Sequence, residues 1–188
     1  MYRMDASQRL IESTQELLWE RGYVGTSPKA IQQRAGAGQG SMYHHFTGKA
    51  DLALAAVRRS AEQLKADAER EFSSPGTAID KITAYLTRER EVLRGCRIGG
   101  LTQDPDIIAS PELRQPVAET LDWMQHRIAG ILTEGQQNGE INQNLKPTEL
   151  AATLIAVLQG GYVLARAAQD AHAFDRAVAG ALALLNGA

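Results

Sequence analysis

Four histidines, one cysteine and a scatter of hydroxyl and carboxylate groups are the side chains of this 188-residue sequence best suited to covalent or metal chemistry. Their spacing argues against both. His44 and His45 are neighbours, so on a helix they point apart and cannot hold one metal ion together. His126 and His172 stand alone, and no His-x-x-x-His pair, paired cysteines or Gly-x-Ser-x-Gly elbow occurs. The reading therefore assigns no catalytic residue, no metal ligand and no cofactor. A different chemistry, hydrogen bonding to a polyanion, is concentrated in residues 26–46, TSPKAIQQRAGAGQGSMYHHF. This stretch reads as a short helix, a glycine turn and a second short helix ending in aromatic and histidine residues. That is the layout of a helix-turn-helix, whose second helix lies in the major groove of DNA.

The second helix has the side chains such a role needs. Gln39, Ser41, Tyr43 and His44 can donate to phosphates or base edges, and Gly40 lets the backbone approach closely. Lys49 opens the next helix, where its charge and free N–H groups could meet one phosphate; Thr26, Ser27 and Lys29 could do the same at the preceding helix. Gly36-Ala37-Gly38-Gln39-Gly40 is not a nucleotide-cradling loop, since no strand precedes it and its spacing fits neither a dinucleotide fingerprint nor a Walker loop. On the residues alone, an ordinary helical hairpin with a solvated Tyr-His-His end remains open.

The elements that would position this segment are all helical, with no convincing period-two stretch. Leu10, Ile11, Thr14, Leu17 and Leu18 form one face of a first helix that Gly22 stops. Ser27 before Pro28 marks a helix start, a hydroxyl cap followed by proline at the first helical position. Met42 and Phe46 are spaced to pack the reading helix onto its neighbours. A long helix is expected over 49–72, ended by Ser73-Ser74-Pro75-Gly76, and another over 77–94. Glycines around Cys96 interrupt the chain, and a short element covers Leu101 up to Asp104-Pro105. A long amphipathic helix over 111–137 closes at Asn138-Gly139, followed by helices from Pro147 or Thr148 to Ala168 and from Ala173 to Leu185. The fold class is all-α: an N-terminal three-helix DNA-binding domain over 1–48 and a helical-bundle domain for ligand binding and dimerisation over 49–188.

Composition is consistent with that division. Net charge is −2 overall, but residues 1–50 carry +2 and the remainder −4, so a mildly basic end can face DNA. A single cysteine precludes an internal disulfide and fits a reducing cytoplasm. No signal-peptide pattern appears, and the most apolar run, Leu150–Leu158, reads as too short to span a bilayer. The expectation is a soluble cytoplasmic protein with no membrane partner.

The stretch Gly25-Thr26-Ser27, Ile31, Arg34-Ala35-Gly36-Ala37, Gly40 to Phe46 and Gly48 to Leu52 resembles the N-terminal domain of TetR-family transcriptional regulators, and the upstream Glu20-Arg21-Gly22-Tyr23 fits as well. About a dozen positions agree in order and spacing over the first third of the chain. The C-terminal part, with Gly95-Cys96-Arg97-Ile98-Gly99 and Gln159-Gly160-Gly161, is more weakly similar to the LmrA/YxaF-like branch. The resemblance implies that Thr26, Gln39, Ser41, Tyr43, His44 and Lys49 occupy DNA-contacting positions. It further implies a homodimer built on the last two helices, a palindromic operator, and repression relieved by a small-molecule effector. One departure is Gly38, where the family often has a serine cap; glycine also caps, at a cost of a few tenths of a kcal/mol.

Two features of the body follow from its own residues. Ala151, Ala152, Leu154, Ile155, Val157 and Leu158 with Gly160 and Gly161, and Ala177, Val178, Ala181, Leu182 and Leu185, make helices apolar over more than one stripe, which favours a dimer. Larger or polar residues on apolar helices are candidates for a ligand pocket: Tyr85, Cys96, Trp123, Met124, His126, Gln159, Tyr162 and Arg166. The competing reading is a helical small-molecule carrier or enzyme without sequence-specific DNA binding, which predicts no salt-sensitive binding to a palindrome.

Overall fold

The structure, a computed structural model, describes residues 5–187; Arg3, one of the cations behind the +2 charge of residues 1–50, lies outside them. Among the described residues every regular element is a helix. In order they are α1 (Ala6–Arg21), α2 (Pro28–Ala35), α3 (Gln39–His45), α4 (Lys49–Phe72), α5 (Ala78–Thr87), α6 (Pro105–Ala109), α7 (Pro111–Gln137), α8 (Pro147–Ala168) and α9 (His172–Gly187). Two 3-10 turns, Val92–Arg94 and Gly99–Gln103, lie between α5 and α6. The packing defines two compact units, neither contiguous in sequence. One comprises Met1–Gln63 with Arg97–Glu119, and the other Leu64–Cys96 with Thr120–Ala188. The helix-turn-helix thus shares its unit with the first part of α4 and with the α6 region, beyond the expected 1–48 boundary.

In the first unit, Leu10, Leu17, Ile31, Ala35, Met42, Phe46 and Leu52 form one apolar cluster. Each helix of the motif contributes one or two anchors, so α2 and α3, only 8 and 7 residues long, are held by tertiary packing rather than by their own propensity. Local signals set their ends. The Ser27 hydroxyl accepts from the Ala30 N–H at 3.2 Å, Pro28 occupies the first turn, and Gly36 ends α2 in the left-handed conformation at φ 58°. Asp51 reaches back to accept from the Thr47 N–H (2.9 Å) and hydroxyl (3.3 Å), fixing the entry into α4.

The second unit is built on a larger core that includes Phe72, Ile82, Leu86, Ile128, Leu132, Leu154, Leu158 and Phe174. Helix α5 starts with a reciprocal box in which Thr77 caps the Asp80 N–H and the Asp80 carboxylate accepts from the Thr77 N–H. It ends at Thr87, seven residues before the expected Arg94. Arg88 turns extended (φ −55°, ψ 150°). The Arg90 guanidinium folds back onto the carbonyls of Leu86 (2.9 Å), Arg88 (2.8 Å) and Tyr85, and these bonds supply the donors that another helical turn would have provided.

Helix α8 departs from the expectation in another way. Its 22 residues have an 18-residue window of mean hydropathy 1.5, long and apolar enough by length and composition to cross a membrane. The small residues flanking Leu150–Leu158 extend the apolar run. Ala151, Leu154, Leu158, Gly161 and Ala165 of that helix are buried in the unit's core.

Candidate nucleic-acid interface and effector cavity

Helix α3 is fixed from beneath and bare above. Met42 is fully buried, and its sulfur receives a hydrogen bond from Gln32 of α2 at 3.4 Å. Gln39, Gly40, Tyr43, His44 and His45 are exposed, Tyr43 by 50%, and Ser41 is half-buried. No Cβ added at Gly38 or Gly40 would meet another atom within 4 Å, so the glycines leave open space at the head of the helix. Ser27 and Lys29 are exposed at the start of α2. The Lys49 ammonium stands 3.9 Å from the centre of the Tyr23 ring, a cation–π contact that holds it at the first turn of α4.

Thr26 departs from the expectation. It is only 1% exposed, its hydroxyl donates to the Gly22 carbonyl at 2.7 Å, and its N–H donates to the Tyr23 carbonyl at 3.1 Å. Both donors are used inward, so Thr26 shapes the α1–α2 turn rather than presenting a group to a phosphate.

That turn is held by a residue no local pattern identified. One oxygen of Asp104 accepts from the backbone N–H groups of Tyr23 (2.7 Å) and Val24 (3.0 Å), and the other from those of Asp106 (3.1 Å) and Ile107 (3.3 Å). One carboxylate therefore caps α6 and clamps the loop leading into the helix-turn-helix. Gly22 is required beside it: its φ is +72°, and a Cβ there would lie 2.8 Å from Asp104 Oδ2. Arg97 reinforces the same region, pairing with Glu16 at 2.8 Å and lying 3.8 Å over the Trp19 ring.

The second unit contains a small cavity of ≈ 30 Å³. Five of the sequence candidates line it: Tyr85, Cys96, Met124, Gln159 and Tyr162. Three do not. Trp123 packs against the core with Lys65 5.7 Å over its ring. His126 is 75% exposed and faces Asp122 at 3.3 Å. The exposed Arg166 lies over Gly95, where a Cβ would sit 3.3 Å from its Cδ. Helix α7 turns Trp123 and His126 away from the face that carries Met124, because neighbours one or two residues apart do not share a helix face.

Among the lining residues that the sequence reading did not single out are two cations, Arg88 and Arg90. A hydropathy pattern places arginines on a solvated face; only the early end of α5 turns them inward. Both guanidiniums lie close to the Tyr85 ring, at 5.4 and 5.3 Å, and Arg90 also reaches Phe174 at 5.7 Å. Burial pushes the Tyr162 phenol up to about 12 and raises Tyr85 as well, so both rings remain neutral donors near neutral pH. Burial lowers the Arg90 pKa, and the charge of Arg88 adds to that effect. A larger groove of ≈ 360 Å³ adjoins the same two arginines, walled by Leu86, Val92, Phe174, Val178 and Leu182.

An anchored, polar reading helix followed by a helical body with an internal cavity defines a class, the one-component DNA-binding regulators. Comparison with known proteins gives the family. Residues 10–56 match the family model for bacterial regulatory proteins of the tetR family, and residues 77–181 match the tetracyclin repressor-like C-terminal domain. The chain belongs to the TetR family of transcriptional regulators. It is 28% identical over 138 residues to the fatty acid metabolism regulator protein of Bacillus subtilis (strain 168), covering 73% of this chain and 71% of that one. It is 26% identical over 183 residues to the HTH-type transcriptional repressor DhaR of Mycobacterium sp. (strain GP1), covering 94% and 90%. The crystal structure of FadR from Bacillus subtilis in complex with stearoyl-CoA shares the fold, with a TM-score of 0.74, 22% identity, and 95% and 96% of the two chains covered.

Proposed function

We propose that this regulator is a homodimeric repressor in the cytoplasm that leaves a palindromic operator when a small molecule enters its C-terminal cavity. The carrying observation is the exposed Gln39, Tyr43 and His44, with the half-buried Ser41, on a helix anchored through Met42. Ser27, Lys29 and Lys49 flank it with groups suited to phosphates. Repression and ligand response agree with the relatives: one is named a repressor, and another was solved with stearoyl-CoA bound.

The dimer reading is supported by apolar side chains left bare on the last two helices. Val163 and Leu164 of α8 are 53% and 56% exposed, and Leu184 of α9 is 77% exposed. Gly160, Gly180 and Ala183 beside them are also exposed, and such small residues allow close approach of a second copy. Two reading helices related by a two-fold axis would address half-sites roughly 34–36 Å apart. Helix α4 links the two functions in one continuous element, since Lys49 opens it and Leu64 of the same helix lines the cavity. A ligand that favours one setting of α4 lowers the DNA-competent population by its differential affinity for the two states.

Selection from random DNA duplexes with the purified protein tests this reading. An enriched inverted repeat is expected. A folded dimer that enriches no sequence contradicts it.

A further inference from the structure

The Arg88 side chain is a half-buried cation in the cavity wall that makes no side-chain hydrogen bond among the described residues. Its Nε is buried with no hydrogen-bond partner, and among the described residues no acceptor lies within hydrogen-bonding distance of its guanidinium. Its ion-pair partner, Asp67, stands 3.8 Å from Nη1, too far for a hydrogen bond. Arg90 differs: its Nη groups are committed to the carbonyls that end α5, and no carboxylate pairs with it among the described residues. Of the two guanidiniums beside the wall of Leu64, Leu121, Met124, Ile155 and Leu158, Arg88 alone has a carboxylate near it among the described residues, and that carboxylate also pairs with Arg70 at 2.6 Å. Burying a donor without a partner is costly, and a second like charge adds to the cost. Glu89 and Asp175 also border the outer groove, but both are exposed to solvent.

The Asp67 ion pair and the Tyr85 ring face the Arg88 charge but accept no hydrogen bond from its buried Nε, and a ligand acceptor would. The cavity has room for about two water molecules, the scale of a carboxylate group. The outer groove, bordered by the same two arginines, is apolar and falls within the size range of small-molecule sites. We propose that the effector is an organic carboxylic acid. Its carboxylate accepts hydrogen bonds from Arg88 in the inner cavity, beside the positive charge of Arg90 and the Tyr162 hydroxyl. Its hydrocarbon part lies along the groove formed by Phe174, Val178 and Leu182. This rests on the effector-regulated reading above and specifies the ligand class of that same cavity.

The groove lies on a different side of α9 from the proposed dimer surface. Phe174, Val178 and Leu182 recur every four residues and share one side. Leu184, two positions beyond Leu182, points away from them. Ligand entry and dimer formation thus use separate faces of the helix.

The test uses the full-length dimer and a panel of straight-chain and aromatic monocarboxylates, each beside its own primary amide. Binding is read by calorimetry on the wild type and on Arg88→Met, which retains bulk and removes charge. At least one acid is expected to bind about tenfold more tightly than its amide, since charge-assisted hydrogen bonds carry that difference. Arg88→Met should abolish the preference while leaving helical content and amide binding as in the wild type. Arg88→Lys, which retains the charge without the planar fork, should keep part of the preference. Equal binding of acids and amides, no acid binding at millimolar concentration, or a preference that survives in a folded Arg88→Met protein would each overturn the proposal. Operator binding in the same buffer separates the two readings. If it is intact without acid preference, the ligand class alone fails; if the wild type selects no operator, the regulator reading fails.

Discussion

Replacing Asp104 should loosen the DNA-reading unit from a position that touches no DNA. The carboxylate is 8% exposed and accepts four backbone N–H groups, two at the start of α6 and two in the loop before α2. Asp104→Ala removes an N-cap, at about 1 kcal/mol. It also strips charge-assisted bonds from the loop. The Val24 side chain is 58% exposed, so water can reach its backbone N–H, whereas Tyr23 is half-buried and its N–H loses a 2.7 Å partner. That part adds about 2 kcal/mol, for a total near 3 kcal/mol. Asp104→Asn retains one acceptor oxygen and should cost roughly half as much. The assay is urea unfolding at fixed protomer concentration, because a dimer's apparent stability depends on concentration. The same variants should bind operator more weakly, since the loop sets the entry angle of α2. A loss below about 0.5 kcal/mol for Asp104→Ala, the range of an ordinary surface substitution, would refute the clamp.

Other perturbations report on separate parts of the account. Tyr43→Phe should weaken operator binding by about 1 kcal/mol per protomer with unfolding unchanged, if its exposed hydroxyl holds a phosphate; unaltered affinity would remove that hydroxyl from the interface. Leu164→Glu with Leu184→Glu places charges on the bare apolar surface and should give a folded monomer by sedimentation, whereas an intact dimer would put the interface elsewhere. Glu69 is held below the usual carboxylate range, first by the paired hydrogen bonds from Arg127 at 2.9 and 2.7 Å and then by Ser73. Its folded pKa is depressed, so its contribution is present above the ordinary carboxylate value and is lost as pH falls through the lowered one. Because the pair is 31% and 40% exposed, the contribution is at most about 1 kcal/mol. Glu69→Gln should therefore flatten stability on the acid side without altering it below that window, and a steeper acid loss in the variant would reverse the assignment.

What could be read from the chain and what could not differ in the range of the interaction. The Ser27-Pro28 start, the Gly36 turn and the Gly139 stop are local devices acting within a few residues, and all three are in place, with Gly36 at φ 58° and Gly139 at φ 74°. Met42 and Phe46 pack as their spacing implies. Residues joined over long separations were hidden. Asp104 bonds to Tyr23 from 81 positions away, and nothing near either one marks the pair. Thr26 was read as an outward donor because its type suits phosphate; its hydroxyl turns inward to a carbonyl four residues earlier. The cavity was half legible. Tyr85, Met124, Gln159 and Tyr162 stand out as polar or bulky groups on apolar helices and Cys96 as the lone thiol among glycines, while Arg88 and Arg90 become wall residues only because α5 stops at Thr87.

The salt dependence of operator binding by wild type and Lys49→Ala bears most directly on the claim that the α3 surface and its flanks read DNA. Two or more phosphate contacts per protomer predict a log–log slope of about −4 or steeper for the dimer, with Lys49→Ala shallower by about one unit per protomer. A wild-type affinity that does not change with salt would contradict the account.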